Sequence, residues 1–75
     1  MAKPTFEDLK AEVVMKAEEA GSLPGSIAVG GVQYMVRLPA EAKLAIIGAI
    51  HNPAKLDDLL DQATFDGLDG SQVHA

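Results

Sequence analysis

Residues 27–38, IAVGGVQYMVRL, decide how this chain folds. Gly30 and Gly31 tolerate φ > 0 without a steric penalty, so the pair suits a tight two-residue hairpin turn. With these glycines as the loop, Val29 faces Val32 and Ile27 faces Tyr34. Ile27, Val29, Val32, Tyr34, Val36 and Leu38 then share one face, while Ala28, Gln33, Met35 and Arg37 fall on the other. Two separate alternations agree under one register, which predicts an antiparallel hairpin with an apolar inner face.

On the N-terminal side, Thr5 precedes Phe6-Glu7-Asp8, a variant of the capping box in which the hydroxyl and the Asp8 carboxylate serve each other's backbone N–H. Phe6, Leu9, Val13, Ala17 and Ala20 then follow helical spacing, Glu12 stands four residues before Lys16, and Gly21 suits a left-handed stop. These signals predict a helix over 6–20 and a loop over 22–25.

On the C-terminal side, Pro39 cannot donate to a ladder but is pre-set for the first turn of a helix. A second helix is expected from Pro39 or Ala40, with Glu41 near its positive end. Its continuation AKLAIIGAI, residues 42–50, is apolar on nearly every side. Leu44, Ile47 and Ile50 form a bulky stripe, expected to meet the hairpin; Ala42, Ala45 and Ala49 form a small-residue stripe that needs a cover, either the next helix or another chain. Asn52-Pro53 is a capped restart, and Leu56, Leu59, Leu60 and Ala63 predict a third helix over 53–64. Phe65 and Leu68 are expected to fold back, and residues 69–75 read as a tail.

The expected fold class is therefore α+β: one small domain over 1–75, ordered from about 5 to 68, with a helix, a tight β-hairpin and then two helices (α-β-β-α-α). A length of 75 residues suits one domain. With no Cys, with His51 and His74 far apart, and with only Phe6, Tyr34 and Phe65 as aromatics, packing of small aliphatic side chains must supply the stability.

The same residues narrow the function classes. A formal charge of −5 opposes a phosphate backbone as main partner, because nucleic-acid affinity rests on Lys and Arg displacing counterions. No run reaches the roughly 18 apolar residues of a membrane span, and no apolar stretch follows Lys3, so neither a transmembrane segment nor a signal peptide is expected. The expected location is the cytoplasm or a virion. Ser22, Ser26 and Ser71 have no histidine tied to them by pattern, and Gly21, Gly25, Gly30 and Gly31 match no phosphate-binding spacing, so they read as turn punctuation. Asp57, Asp58 and Asp61 read as a solvated helix face, and Asp66-Gly67-Leu68-Asp69-Gly70 lacks the spacing of a calcium loop. His51 reads as a helix-end residue. No catalytic residue, cofactor, metal or small-molecule substrate is expected.

Residues 32–63, VQYMVRLPAEAKLAIIGAIHNPAKLDDLLDQA, resemble the ribbon-helix-helix repressors in order: an alternating strand, a Pro-started helix, a capped turn and a second amphipathic helix. That resemblance implies a DNA-binding regulator or antitoxin with Gln33, Met35 and Arg37 aimed at a groove. The segment departs from it in offering its strand an intramolecular mate, Ile27 to Val29, and in carrying more Asp and Glu than Lys and Arg. Residues 5–51 resemble, in element order alone, the lambda-type head-tail joining proteins of bacteriophages. The leading expectation is a non-enzymatic structural or assembly protein, of a bacteriophage virion (capsid-decorating, minor capsid or head-tail joining), acting by contact with a protein partner or by self-association. A small phage-borne inhibitor of a host protein, or a ligand-sequestering protein, is a further alternative. The expected contact surface combines the outer hairpin face and the second helix, through Met35, Arg37, Ala42, Ala45, Ile46 and Ala49.

Overall fold

A computed structural model of the chain describes residues 3–75. In chain order the elements are α1 (Phe6–Ala20), β1 (Ser26–Val29), β2 (Val32–Arg37), α2 (Ala40–Ile47), α3 (Pro53–Leu59), a single 3-10 turn (Leu60–Gln62), β3 (Thr64–Gly67) and β4 (Gln72–His74). The domain is mixed α+β. Its strands form one antiparallel meander in the order β1-β2-β3-β4, and the helices supply the apolar side chains that cover the inner face.

Local chemistry explains the first half. The Thr5 hydroxyl accepts from Asp8 N at 3.1 Å and the Asp8 carboxylate accepts from Thr5 N at 3.0 Å, which closes the capping box of α1. Gly21 ends the helix at φ 71. Gly30 and Gly31 stand at φ 62 and φ 79, the pair of positive values that a primed hairpin turn requires. Val29 pairs with Val32 and Ile27 with Tyr34, the register that the alternation predicts. Ile27 and Tyr34 are buried, and Ala28, Gln33, Met35 and Arg37 are exposed.

The second half departs from expectation in three ways. The third helix was expected to reach residue 64, but it ends at Leu59 and tightens into the 3-10 turn, after which Ala63 is already extended. Thr64 to Gly67 then pair with β2, and Gln72 to His74 pair with β3, so the stretch expected as a tail contributes a turn and a strand. The reason is Phe65: as a fully buried residue opposite Val36 it fills the inner face, a position that a helix running on through residue 64 would deny it. This strand also makes β2 interior, paired along both edges, unlike the strand-then-helices order of the ribbon-helix-helix resemblance.

The third departure concerns α2. The bulky stripe was expected to meet the hairpin, yet Leu44 and Ile47 are 71% and 73% exposed, while Ala42, Ile46 and Ala49 are buried. Ile46 enters the core cluster with Leu9, Val13, Ala17, Ile27, Tyr34, Leu56, Leu60, Ala63 and Phe65, and Ile50 lies half-buried against it. Burying Ile46 contributes about 1.5–3 kcal/mol, and the alanines on either side let the helix approach closely enough to insert it. The helix is also shorter than its apolar run. Gly48 caps it, and residues 48–51 turn the corner to the Asn52 cap of α3, whose side chain accepts from Lys55 N at 3.3 Å.

Candidate functional site

Four surface features carry chemistry. The outer sheet face holds Met35 and Arg37, two of the residues expected at an interface. Met35 lies between Ser26 and Asp66 in the sheet register. Around it the polar groups satisfy one another: Arg37 Nε meets Asp66 Oδ2 at 2.7 Å, Gln72 Nε2 donates to Asp66 Oδ1 at 3.0 Å, and Gln33 Nε2 donates to Ser26 Oγ at 3.0 Å. Arg37, the residue that a groove-reading strand would direct to DNA, is thereby neutralised within its own sheet.

The second feature joins α1 to α3. Lys10 is only 3% exposed, and its Nζ lies 2.6 Å from Asp61, 3.4 Å from Asp57 and 3.6 Å from Glu7. It also stands 5.5 Å from the centre of the Phe6 ring. The hydrogen bond that Lys10 donates to Asp61, aided by the one it donates to Asp57, holds the ammonium above the usual lysine range against the opposing effect of burial. Of the carboxylates read as a solvated face, Asp58 is exposed, whereas Asp57 and Asp61 keep about half of their side-chain surface in water and neutralise this cation. Sequence pattern missed Lys10 because a lysine one residue after Leu9 projects beside the apolar stripe, where its stem can be covered.

The third feature is the turn between β3 and β4. Gly67 N donates to Ser71 O, Gly70 N to Gly67 O and Leu68 N to Gln33 O, at 2.8, 3.0 and 2.9 Å. Asp69 Oδ1 accepts from Ser71 Oγ at 2.6 Å and from Ser71 N at 3.0 Å, and these two bonds depress its pKa below the usual carboxylate range. A Cβ on Gly67 would stand 2.5 Å from Ser71 Oγ and 2.6 Å from Asp69 Oδ1, so the turn closes over bare backbone there. At its tip Leu68 is 69% exposed. Ser71 is thus held as a turn donor, and Ser26 as an acceptor across the β1–β2 hairpin.

The fourth feature is the outer side of α2. Leu44 and Ile47 stand one turn apart and exposed, and beside them a groove of about 110 Å³ is lined by Gly21, Ser22, Leu23, Ile46, Ile47 and Ile50. Of the residues expected at an interface on α2 and the corner after it, Ala45 is exposed, whereas Ala42, Ile46 and Ala49 face inward and are unavailable to a partner. The apolar surface is therefore the side assigned to the core from sequence. Leu44 and Ile47 were legible as a stripe; which stripe faced out was not.

Among the described residues no three or more His, Cys, Asp or Glu side chains are grouped to hold a metal ion, and none of the helices is long and apolar enough to cross a membrane. No family model, curated protein or solved structure matches the chain.

Proposed function

We propose that this chain is a non-enzymatic structural or assembly protein that docks onto another protein surface through the outer face of α2 and the groove beside it. The observation that carries this reading is the exposure of Leu44 and Ile47, at 71% and 73%. Exposed apolar patches next to a concavity mark protein contacts more often than scattered surface residues do. The polar groups of the outer sheet face, by contrast, are already satisfied from within the sheet. A bacteriophage virion is the setting that best matches a short, acidic, cysteine-free chain of this composition.

Selection of binders from a random peptide library tests the reading. Enriched peptides should carry an aliphatic or aromatic anchor and lose binding to the double variant Leu44→Ser, Ile47→Ser, which should melt at nearly the wild-type temperature because both side chains already face water. Peptides that bind wild type and variant alike, or a variant that unfolds, would overturn the assignment.

A further inference from the structure

We infer that Asp69-Gly70, at the tip of the β3–β4 turn, is a site of spontaneous isoaspartate formation, and that Ser71 is the latch that sets its rate. The chain holds two Asp-Gly pairs, Asp66-Gly67 and Asp69-Gly70, and no Asn-Gly pair. An aspartate followed by glycine is especially open to this reaction, because no side chain on the glycine hinders the approach of its nitrogen to the aspartate Cγ. The turn itself demands both glycines. A Cβ on Gly67 would stand 2.5 Å from Ser71 Oγ and 3.1 Å from Tyr34 Cε1, and Gly70 stands at φ 92, a value that side chains disfavour.

The chemistry needs nothing but the chain and water. The Gly70 nitrogen attacks Cγ of the protonated Asp69 carboxyl. A bond forms between that nitrogen and Cγ, the bond from Cγ to the hydroxyl breaks, and the amide proton leaves with the hydroxyl as water. The product is a cyclic succinimide. Water then adds to either of its carbonyls: addition at Cγ restores aspartate, and addition at the main-chain carbonyl leaves the backbone running through Cγ as isoaspartate.

The turn restrains both reactants. Gly70 N donates to Gly67 O at 3.0 Å, which engages the nucleophile. Ser71 donates twice to Asp69 Oδ1, from Oγ at 2.6 Å and from N at 3.0 Å. Those bonds keep the carboxyl ionised, and the ionised form has no hydroxyl to expel. Ser71 O also accepts from Gly67 N at 2.8 Å, so one residue closes the turn on both pairs. The pairs differ in what else holds them. Asp66 is half-buried in β3, pairs with Met35 of β2, and has its carboxylate bound by Arg37 and Gln72. Asp69 and Gly70 are exposed, and the strand that follows them is a short edge strand paired only with β3. Edges open before interiors, so Asp69 loses its restraints first. The isoaspartate would lengthen the backbone of the turn and carry the carboxylate away from Ser71, which loosens the closure of β4 on β3.

Incubation of the folded protein at neutral pH in water enriched in heavy oxygen tests this. Each succinimide hydrolysis installs a labelled oxygen whichever carbonyl is attacked, and tandem mass spectrometry locates the label. It should enter at Asp69 before Asp66. Ser71→Ala should speed its entry at Asp69 about tenfold, the factor that losing a charge-assisted hydrogen bond carries. Asp69→Glu, whose longer side chain cannot close the same ring, should take up no label at that position. Wild type unfolded in urea should label at Asp69 faster than the folded protein does, a comparison that holds even if Ser71→Ala fails to fold. Label appearing first at Asp66, a folded Ser71→Ala protein that labels at the wild-type rate, or a folded wild type that labels at Asp69 as fast as the unfolded chain would each overturn the inference.

Discussion

Strand β2 and helix α2 are neighbours in sequence, joined only by Leu38 and Pro39, yet they obey opposite rules. In β2 the side chains that face the core are the large apolar ones, and those that face water are Gln33, Met35 and Arg37. In α2 and the corner after it the core receives Ala42, Ile46 and Ala49 while Leu44 and Ile47 remain in water. Where one face of an element is polar, hydrophobicity alone sets its orientation. Where an element is apolar on nearly every side, hydrophobicity does not choose, and α2 packs against α3 with Ala42 and Ile46 turned inward, so the next helix covers the buried part of the small-residue stripe. The two elements are also held differently. β2 is laced on both edges by a backbone ladder, whereas the helices meet it and one another through side chains.

The largest expected effect tests the strand half of this contrast. Tyr34→Asp places a charge at a site only 2% exposed and should cost about 4 kcal/mol or more, enough to unfold a domain of this size, against about 0.5 kcal/mol for Gln33→Asp. Thermal melts decide it, and equal effects would mean that the hairpin register has slipped by one residue. The helix half is tested within α2 and the corner that follows it. Ile46→Ala should cost about 2–5 kcal/mol by leaving a cavity, and Ala49→Glu should unfold the chain, whereas Ile47→Ala and Ala45→Glu should stay within about 0.5 kcal/mol of wild type. Denaturant titration giving the reverse order would restore the bulky stripe to the core.

A smaller effect separates the side-chain seam from the ladder. Asp61→Asn removes the nearest partner of Lys10 and should cost about 1–2 kcal/mol, because Asp57 and Glu7 remain beside the ammonium. The folded pKa of Lys10 lies above its unfolded value. Its contribution is therefore complete below about pH 10.4 and is lost as pH rises through the elevated folded value. Wild type should lose stability in that alkaline window, and Lys10→Met should flatten the loss. If melting temperatures of the two proteins fall in parallel there, the seam is not the pH-sensitive element.

The smallest effect lies in the sheet and has the opposite sign in pH. The carboxyl of Asp69 is depressed by Ser71, so what it contributes is present above the unfolded value of about 3.9 and is lost as pH falls through the folded one. Ser71→Ala should raise the Asp69 pKa toward the ordinary range with little change in melting temperature at neutral pH. Carboxyl-detected NMR titration reads this directly, and an unchanged pKa would mean that the serine does not hold the turn.

The sequence by itself determined the first helix, its caps, the hairpin and its register, and the capped start of the third helix. These are local: each follows from a glycine's φ, a proline's missing N–H, a capping side chain or a two-residue alternation within a few positions. It also showed that the second helix carries more apolar surface than one neighbour can cover. Only the tertiary structure decided what lies beyond that range. Phe65 and Val73 are too few and too far apart to announce a second hairpin, and become strand residues because β2 offers a free edge and the core a place for Phe65. Lys10 is buried where α3 and the 3-10 turn after it bring Asp57 and Asp61 to it from 47 and 51 residues away. The outward stripe of α2, and with it the candidate docking surface, was decided by how α2 packs against α3, a contact that no pattern within the helix encodes.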